Sequence, residues 1–281
     1  MKTIVVTNPK DESLLQQLIA LYSIFKNLSP KEKIEFNLED LGWVFPLLIL
    51  PISSYIRDTK STFKLPKDKS PAFYLQTIQF PEGVTSVSEF QKIKNYIPIG
   101  VLQAKDRVER ERLETCFAEM IYKILKPTVA AENAIYLPLT ELITNIFDHS
   151  KKEEGYVFGQ YYPTKEFLDL CIVDRGRGLA TSYKDERNLN FTDKEAIIQA
   201  LSGTSVKPEK MRGFGIRVSK RIICEGLEGS FILLSGKAAL YSSKKEEKIF
   251  SLPGFYWQGV IISYRILPPK KPVDITPFLE G

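Results

Sequence analysis

Glu141, Asn145 and His149 recur at four-residue intervals in Glu141-Leu-Ile-Thr-Asn145-Ile-Phe-Asp-His149. On a helix, each step of four residues advances roughly 40° past a full turn. A carboxylate, a carboxamide and an imidazole therefore fall along one slowly drifting stripe. Leu142, Ile143, Ile146 and Phe147 supply the apolar side that packs such a helix. This set suits a magnesium–phosphate site, provided the chain also supplies a nucleotide pocket.

Two later stretches carry compatible chemistry. The strand-like run Glu166–Val173 leads straight into Asp174-Arg-Gly176-Arg-Gly178. An aspartate at a strand end can accept a hydrogen bond from the exocyclic amine of adenine, and the glycines let the backbone approach the ring. Further on, Arg212-Gly213-Phe214-Gly215-Ile216 opens a helix with Val218, Ile222 and Ile223 on its apolar side. Free N–H groups and the helix dipole make such a start an anion site. Thr204, Ser205 and Lys207 precede it on a segment able to fold over a terminal phosphate. Taken singly, each signal also fits a solvated helix edge, a turn or helix punctuation; their order along the chain is what raises them.

The elements that must position these residues follow from pattern. A chain of 281 residues accommodates two domains, each with its own core. A net charge of +5 without a long Lys/Arg block gives no indication of nucleic acid as a partner. Cys116, Cys171 and Cys224 are odd in number and lie in apolar patterns, as reduced thiols of a cytoplasmic protein do. The N-terminus shows no signal-peptide pattern, and the apolar run Trp43–Ile52 is too short for a bilayer, so no membrane is expected.

Strand and helix alternate over the first 95 or so residues. Strands are expected at Lys2–Thr7, Lys33–Leu38 and Ser61–Leu65, and helices at Leu14–Leu28, capped by Asp11 or Ser13, from Pro46 to about Ile56, and at Ser70–Ile78. Pro51 predicts a kink or a short helix. The expectation is an α/β (α+β) layer domain over residues 1–100. Phe36-Asn-Leu-Glu-Asp-Leu-Gly-Trp-Val-Phe-Pro46 resembles the strand–turn–helix start of a STAS-like domain, the fold of anti-sigma-factor antagonists. Phosphorylated members carry a serine or threonine where that helix opens; Val44-Phe45-Pro46-Leu47 has neither, which favours docking or dimerisation.

Lys105–Leu125 reads as a charged amphipathic helix, either a dimerisation helix or a surface helix, and Pro127 ends it. Thr181–Thr192 is polar, and a short helix follows over Asp193–Leu201. Gly229–Leu234 and Gly259–Ile266 are strand-like, Ser242–Lys248 is an exposed hairpin, and the tail from 269 to 281 is irregular.

Glu141-x-x-x-Asn145-x-x-x-His149 resembles the N box of the GHKL superfamily, the ATP-binding fold of gyrase, histidine kinases and anti-sigma-factor kinases. Asp174-x-Gly176-x-Gly178 resembles its first glycine box and Arg212-Gly213-Phe214-Gly215 its second, within a domain over 101–268. The resemblance implies a Bergerat-type α/β sandwich, with ATP between helices and a mixed sheet under a mobile lid. Asn145 would hold Mg²⁺, Glu141 would act as general base, and Asp174 would read adenine. Gly176, Gly178, Gly213 and Gly215 would shape the pocket, and His149 would touch phosphate or pack at the helix end. Ile216 and Arg217 stand where many relatives continue Leu-Gly-Leu, so the second box is short.

Two functions follow from this resemblance. One is Mg²⁺-dependent ATP hydrolysis or phosphorylation of a serine or threonine on a protein partner. The other is a non-catalytic ATP switch that controls partner binding. No phosphoacceptor histidine lies on the candidate dimer helix, which argues against a self-contained histidine kinase.

Overall fold

Alternation in the N-terminal third builds β1 (Lys2–Val5), α1 (Leu14–Phe25), β2 (Ile34–Asn37), α2 (Pro46–Thr59), β3 (Thr62–Lys64) and α3 (Lys69–Thr77). The computed structural model describes residues 1–91, 95–127, 130–203 and 215–279. The first three strands form a parallel sheet in the order β1-β2-β3. Ile4, Phe36 and Phe63 stand side by side in register and face the core. Ser13 caps α1, accepting from Gln16 N, while Asp11 accepts from Ser13 N at 2.8 Å and braces the cap.

Pro51 does not shorten α2, which runs unbroken to Thr59. Every residue from Pro46 to Ile56 is buried. Packing on all sides therefore outweighs the hydrogen bond that Pro51 cannot donate.

The remaining elements are β4 (Tyr96–Gln103), α4 (Arg107–Leu125), α5 (Glu132–His149), β5 (Glu154–Tyr162), β6 (Phe167–Asp174), α6 (Gly178–Arg187), α7 (Asp193–Leu201), α8 (Gly215–Arg221), β7 (Ser230–Gly236), β8 (Ala238–Ser243), β9 (Glu247–Ser251), β10 (Trp257–Ile266) and α9 (Thr276–Leu279). A π-helical turn, Ile222–Gly226, continues α8. The large sheet has seven strands in the order β4-β5-β6-β10-β7-β8-β9. All its ladders are antiparallel, where a mixed sheet was expected. The cause is connectivity: β5–β6 and β7–β8–β9 are hairpins, and β10 returns between β6 and β7, antiparallel to both.

Both faces of this sheet are covered. Along β6, Leu168, Leu170 and Ile172 join the core shared with α4, α5 and α8, whereas Phe167, Cys171 and Val173 join the core shared with α1 and α2. The chain is thus a mixed α+β protein whose layers run small sheet, α1/α2, large sheet, α4/α5/α8. The N-terminal unit is the second cover of the large sheet, and the expected boundary at residue 100 falls inside β4. Asp169 of β6, fully buried, fastens the two units: Arg265 of β10 pairs with it at 2.6 Å, and Gln17 of α1 donates to it at 3.0 Å.

The polar stretch from Thr181 is in part helical, since α6 starts at Gly178 and reaches Arg187. One local expectation changes. The tail is fixed at Val273, whose N–H donates to Ala130 O, and ends in the short α9. Elsewhere the pattern holds: α7 has the expected bounds and a full capping box between Thr192 and Glu195, and β8 and β9 form the Ser242–Lys248 hairpin. Among the described residues no helix is long and apolar enough to cross a membrane.

Candidate functional site

The buried side of α5 is Leu139, Leu142, Ile143 and Ile146, which seat it on the large sheet. Glu141, Asn145 and His149 are each half-buried beside that apolar face. Burial, reinforced by Asp148, raises the Glu141 carboxyl above the usual carboxylate range. Among the described residues its carboxylate takes no hydrogen bond or ion pair. A half-desolvated, unengaged carboxylate of this kind is suited to accepting a proton from an external group.

Asn145 lies directly under the start of α8. A Cβ placed on Gly215 would fall 2.4 Å from Asn145 Nδ2 and 3.1 Å from Oδ1. Only glycine admits that approach. The Nδ2 atom is buried and has no hydrogen-bond partner among the described residues. Leaving such a group unpaired costs about 1–3 kcal/mol, so the side chain is set up for a ligand. A half-turn of the amide exchanges N for O, giving a hard oxygen for a cation or a donor for a phosphate oxygen.

The C-terminal end of α5 meets the first glycine motif. Gly176 packs so tightly on Ser150 that a Cβ there would lie 2.4 Å from Ser150 O. Gly176 N donates to Asp174 Oδ1 at 2.7 Å, closing a tight turn, and Arg177 N donates to Ser150 O at 3.2 Å. Arg177 Nε donates to the His149 carbonyl at 2.8 Å and its other nitrogens pair with Asp185 and Glu186. The structure thereby joins His149 to the glycine turn through its backbone. Gly178, at φ +75°, turns the chain into α6.

Asp174 is only 4% exposed, and burial pushes its carboxyl up to about 7 against the pull of the Gly176 and Val260 N–H groups. Residues that sequence reasoning passed over hold it. Gly259 sits against it, where a Cβ would lie 2.2 Å from Asp174 O. Trp257 Nε1 donates to the same carbonyl at 3.1 Å. Ser235 Oγ accepts from Leu179 N and donates to Gly259 O, each at 3.0 Å, pinning the start of α6. A glycine inside a strand pattern marks close backbone approach, so Gly259 carried a signal; Trp257 and Ser235 carried none.

The stripe, the Asp174–Gly178 turn and the Gly215 helix start are therefore neighbours around α5. Thr204, Ser205, Lys207, Arg212, Gly213 and Phe214 lie outside the described residues. Among the described residues no cluster of three or more His, Cys, Asp or Glu is arranged for a metal. The Asn145 carboxamide fits the other mode, in which Mg²⁺ keeps several waters and takes few protein oxygens beside those of a phosphate. The chain matches no protein-family model, no curated protein and no solved structure.

Proposed function

We propose that this protein binds Mg²⁺-ATP at the α5 site, in the manner of the histidine kinase-like ATPases, and either hydrolyses it or transfers its phosphate to a protein. The observation that carries the reading is the buried, unpartnered Asn145 amide beneath Gly215, with Asp174 held at the strand end beyond the same helix. In this reading Asp174 selects adenine, Asn145 holds the metal or a phosphate oxygen, and the glycine-lined start of α8 faces the phosphates. Glu141 accepts the proton of the attacking water or hydroxyl. Magnesium, when bound, neutralises charge on the phosphates; positioning by the chain does the rest.

The second reading is a switch without turnover, in which ATP changes the affinity of the N-terminal unit for a protein partner. It is favoured by the layered fold, since that unit is packed on the sheet that ends in Asp174. ATP turnover by the wild type, Glu141→Ala and Asp174→Asn separates the two. Turnover that is lost in both variants, with ATP binding kept in Glu141→Ala, supports the enzyme. Binding without turnover in the wild type supports the switch, and no binding at micromolar protein sinks both.

A further inference from the structure

The glycine turn is held from a second side. Side chains alternate along β6 and out of its end: Asp174 faces the α5 side of the large sheet, and Arg175 is sent through to the α2 side. There Arg175 is 3% exposed. Its Nη2 donates to Pro30 O at 2.6 Å and to Asp58 Oδ2 at 3.2 Å. Its guanidinium lies between the rings of Tyr55 and Trp257, 4.7 and 4.8 Å from their centroids. Tyr55 OH donates to the loop carrying Pro30, reaching Ser29 O at 2.8 Å and Glu32 O at 2.7 Å. A turn on a protein surface would accept any small or polar residue here. A buried guanidinium is costly unless paired and hydrogen-bonded, and among the described residues its hydrogen-bond acceptors, Pro30 and Asp58, and the Tyr55 ring all come from the N-terminal unit.

Resting on the nucleotide reading above, we propose that Arg175 is a positioning residue that clamps the Asp174–Gly176 turn to the N-terminal unit, so that the seating of that unit sets the affinity and purine selectivity of the site. Arg175 shares its peptide bonds with Asp174 and with Gly176, whose N–H holds the Asp174 carboxylate. A shift of α2 across the sheet is therefore handed to the adenine-reading carboxylate within one residue. Trp257 doubles the link, since it stacks on Arg175, packs edge-on against Phe25 of α1 and donates to Asp174 O. Coupling is reciprocal: a partner that moves the N-terminal unit changes nucleotide affinity, and nucleotide tightens the seating of that unit.

The test is calorimetric titration of Mg²⁺-ATP and Mg²⁺-GTP into the full-length wild type, Asp58→Asn and Arg175→Lys, with hydrogen exchange across α2 in the presence and absence of ATP. Lysine keeps the charge and loses the fork and the stacking. The expected result is a loss of ATP affinity of about tenfold in both variants, a smaller change for GTP, and ATP-dependent protection of α2 in the wild type alone. A clamp that is merely structural would lower the melting temperature and leave the ATP/GTP ratio and the α2 protection unchanged, which overturns the proposal. If Arg175→Lys fails to fold, Asp58→Asn decides, because that side chain is 31% exposed and its replacement nearly isosteric. A wild type that binds neither nucleotide overturns the nucleotide reading and this inference with it. A wild type that binds ATP, with variants that match it, overturns this inference alone.

Discussion

Asn145 and Gly215 touch so closely that any side chain on Gly215 would occupy the place of the Asn145 amide. Gly215, the first residue of α8, thereby lets α5 and α8 approach closely. Gly215→Ala is expected to push Asn145 aside, to cost about 1–3 kcal/mol by overpacking, and to weaken Mg²⁺-ATP binding. Chemical denaturation and a nucleotide titration check the two effects separately; an alanine variant with wild-type values for both would contradict the packing described.

Asp174 gives a pH dependence of defined sign. Its carboxyl is raised to about 7 in the folded chain, from an ordinary 3.8. The folded state thus binds the proton more tightly, so this group's stabilisation is fully present below the unfolded value and is lost as pH rises through about 7. In the proposed nucleotide site binding runs the other way, because the ionised carboxylate is the stronger acceptor for the adenine amine. ATP affinity is expected to fall roughly tenfold between pH 8 and pH 6, following the ionised fraction. Asp174→Asn should flatten the dependence of the melting temperature on pH between about 4 and 7.

The Asp169–Arg265 pair, shared with Gln17, closes the far end of the layer contact. Asp169→Ala leaves a guanidinium beside the Phe167 ring without its counter-charge, and the expected loss is about 3–5 kcal/mol. Gln17→Ala removes the N-terminal partner alone and should cost less, about 1–3 kcal/mol. Urea denaturation of the two variants tests the ranking, and the reverse order would contradict it.

Cys171 lies in the core between β6 and the N-terminal helices, and burial pushes its thiol well above the ordinary value. Cys116 and Cys224 are also buried, the latter with its thiol raised to about 11. Native protein is therefore expected to resist thiol reagents at pH 8 and to label at all cysteines once denatured. Fast labelling of Cys171 in the native state would mean that the N-terminal unit leaves the sheet readily.

Much of this architecture was legible because local signals agreed with it. The short helix over Asp193–Leu201 was read with its observed bounds, Asp11 or Ser13 marked the start of α1, and the apolar spacing around Glu141 announced α5. The covered second face was harder to see. All of Phe167–Asp174 is buried, a run that implies cover on both sides, but nothing near it in sequence says that α1 and α2 provide it. Gln17 and Asp169 are 152 residues apart. Arg175 read as one more polar residue of a glycine turn, since its partners Pro30, Tyr55 and Asp58 belong to another unit. The length of α2 past Pro51 was hidden for the same reason: burial around a helix is a tertiary fact.

The most direct test of the account is calorimetric titration of Mg²⁺-ATP into wild type and Asp174→Asn, each with and without magnesium. Wild type is expected to bind ATP, to bind it more weakly when the metal is chelated, and to lose the preference for ATP over GTP on the Asp174→Asn change. A wild type that takes up no ATP, or an Asp174→Asn variant that binds and discriminates as the wild type does, would contradict it.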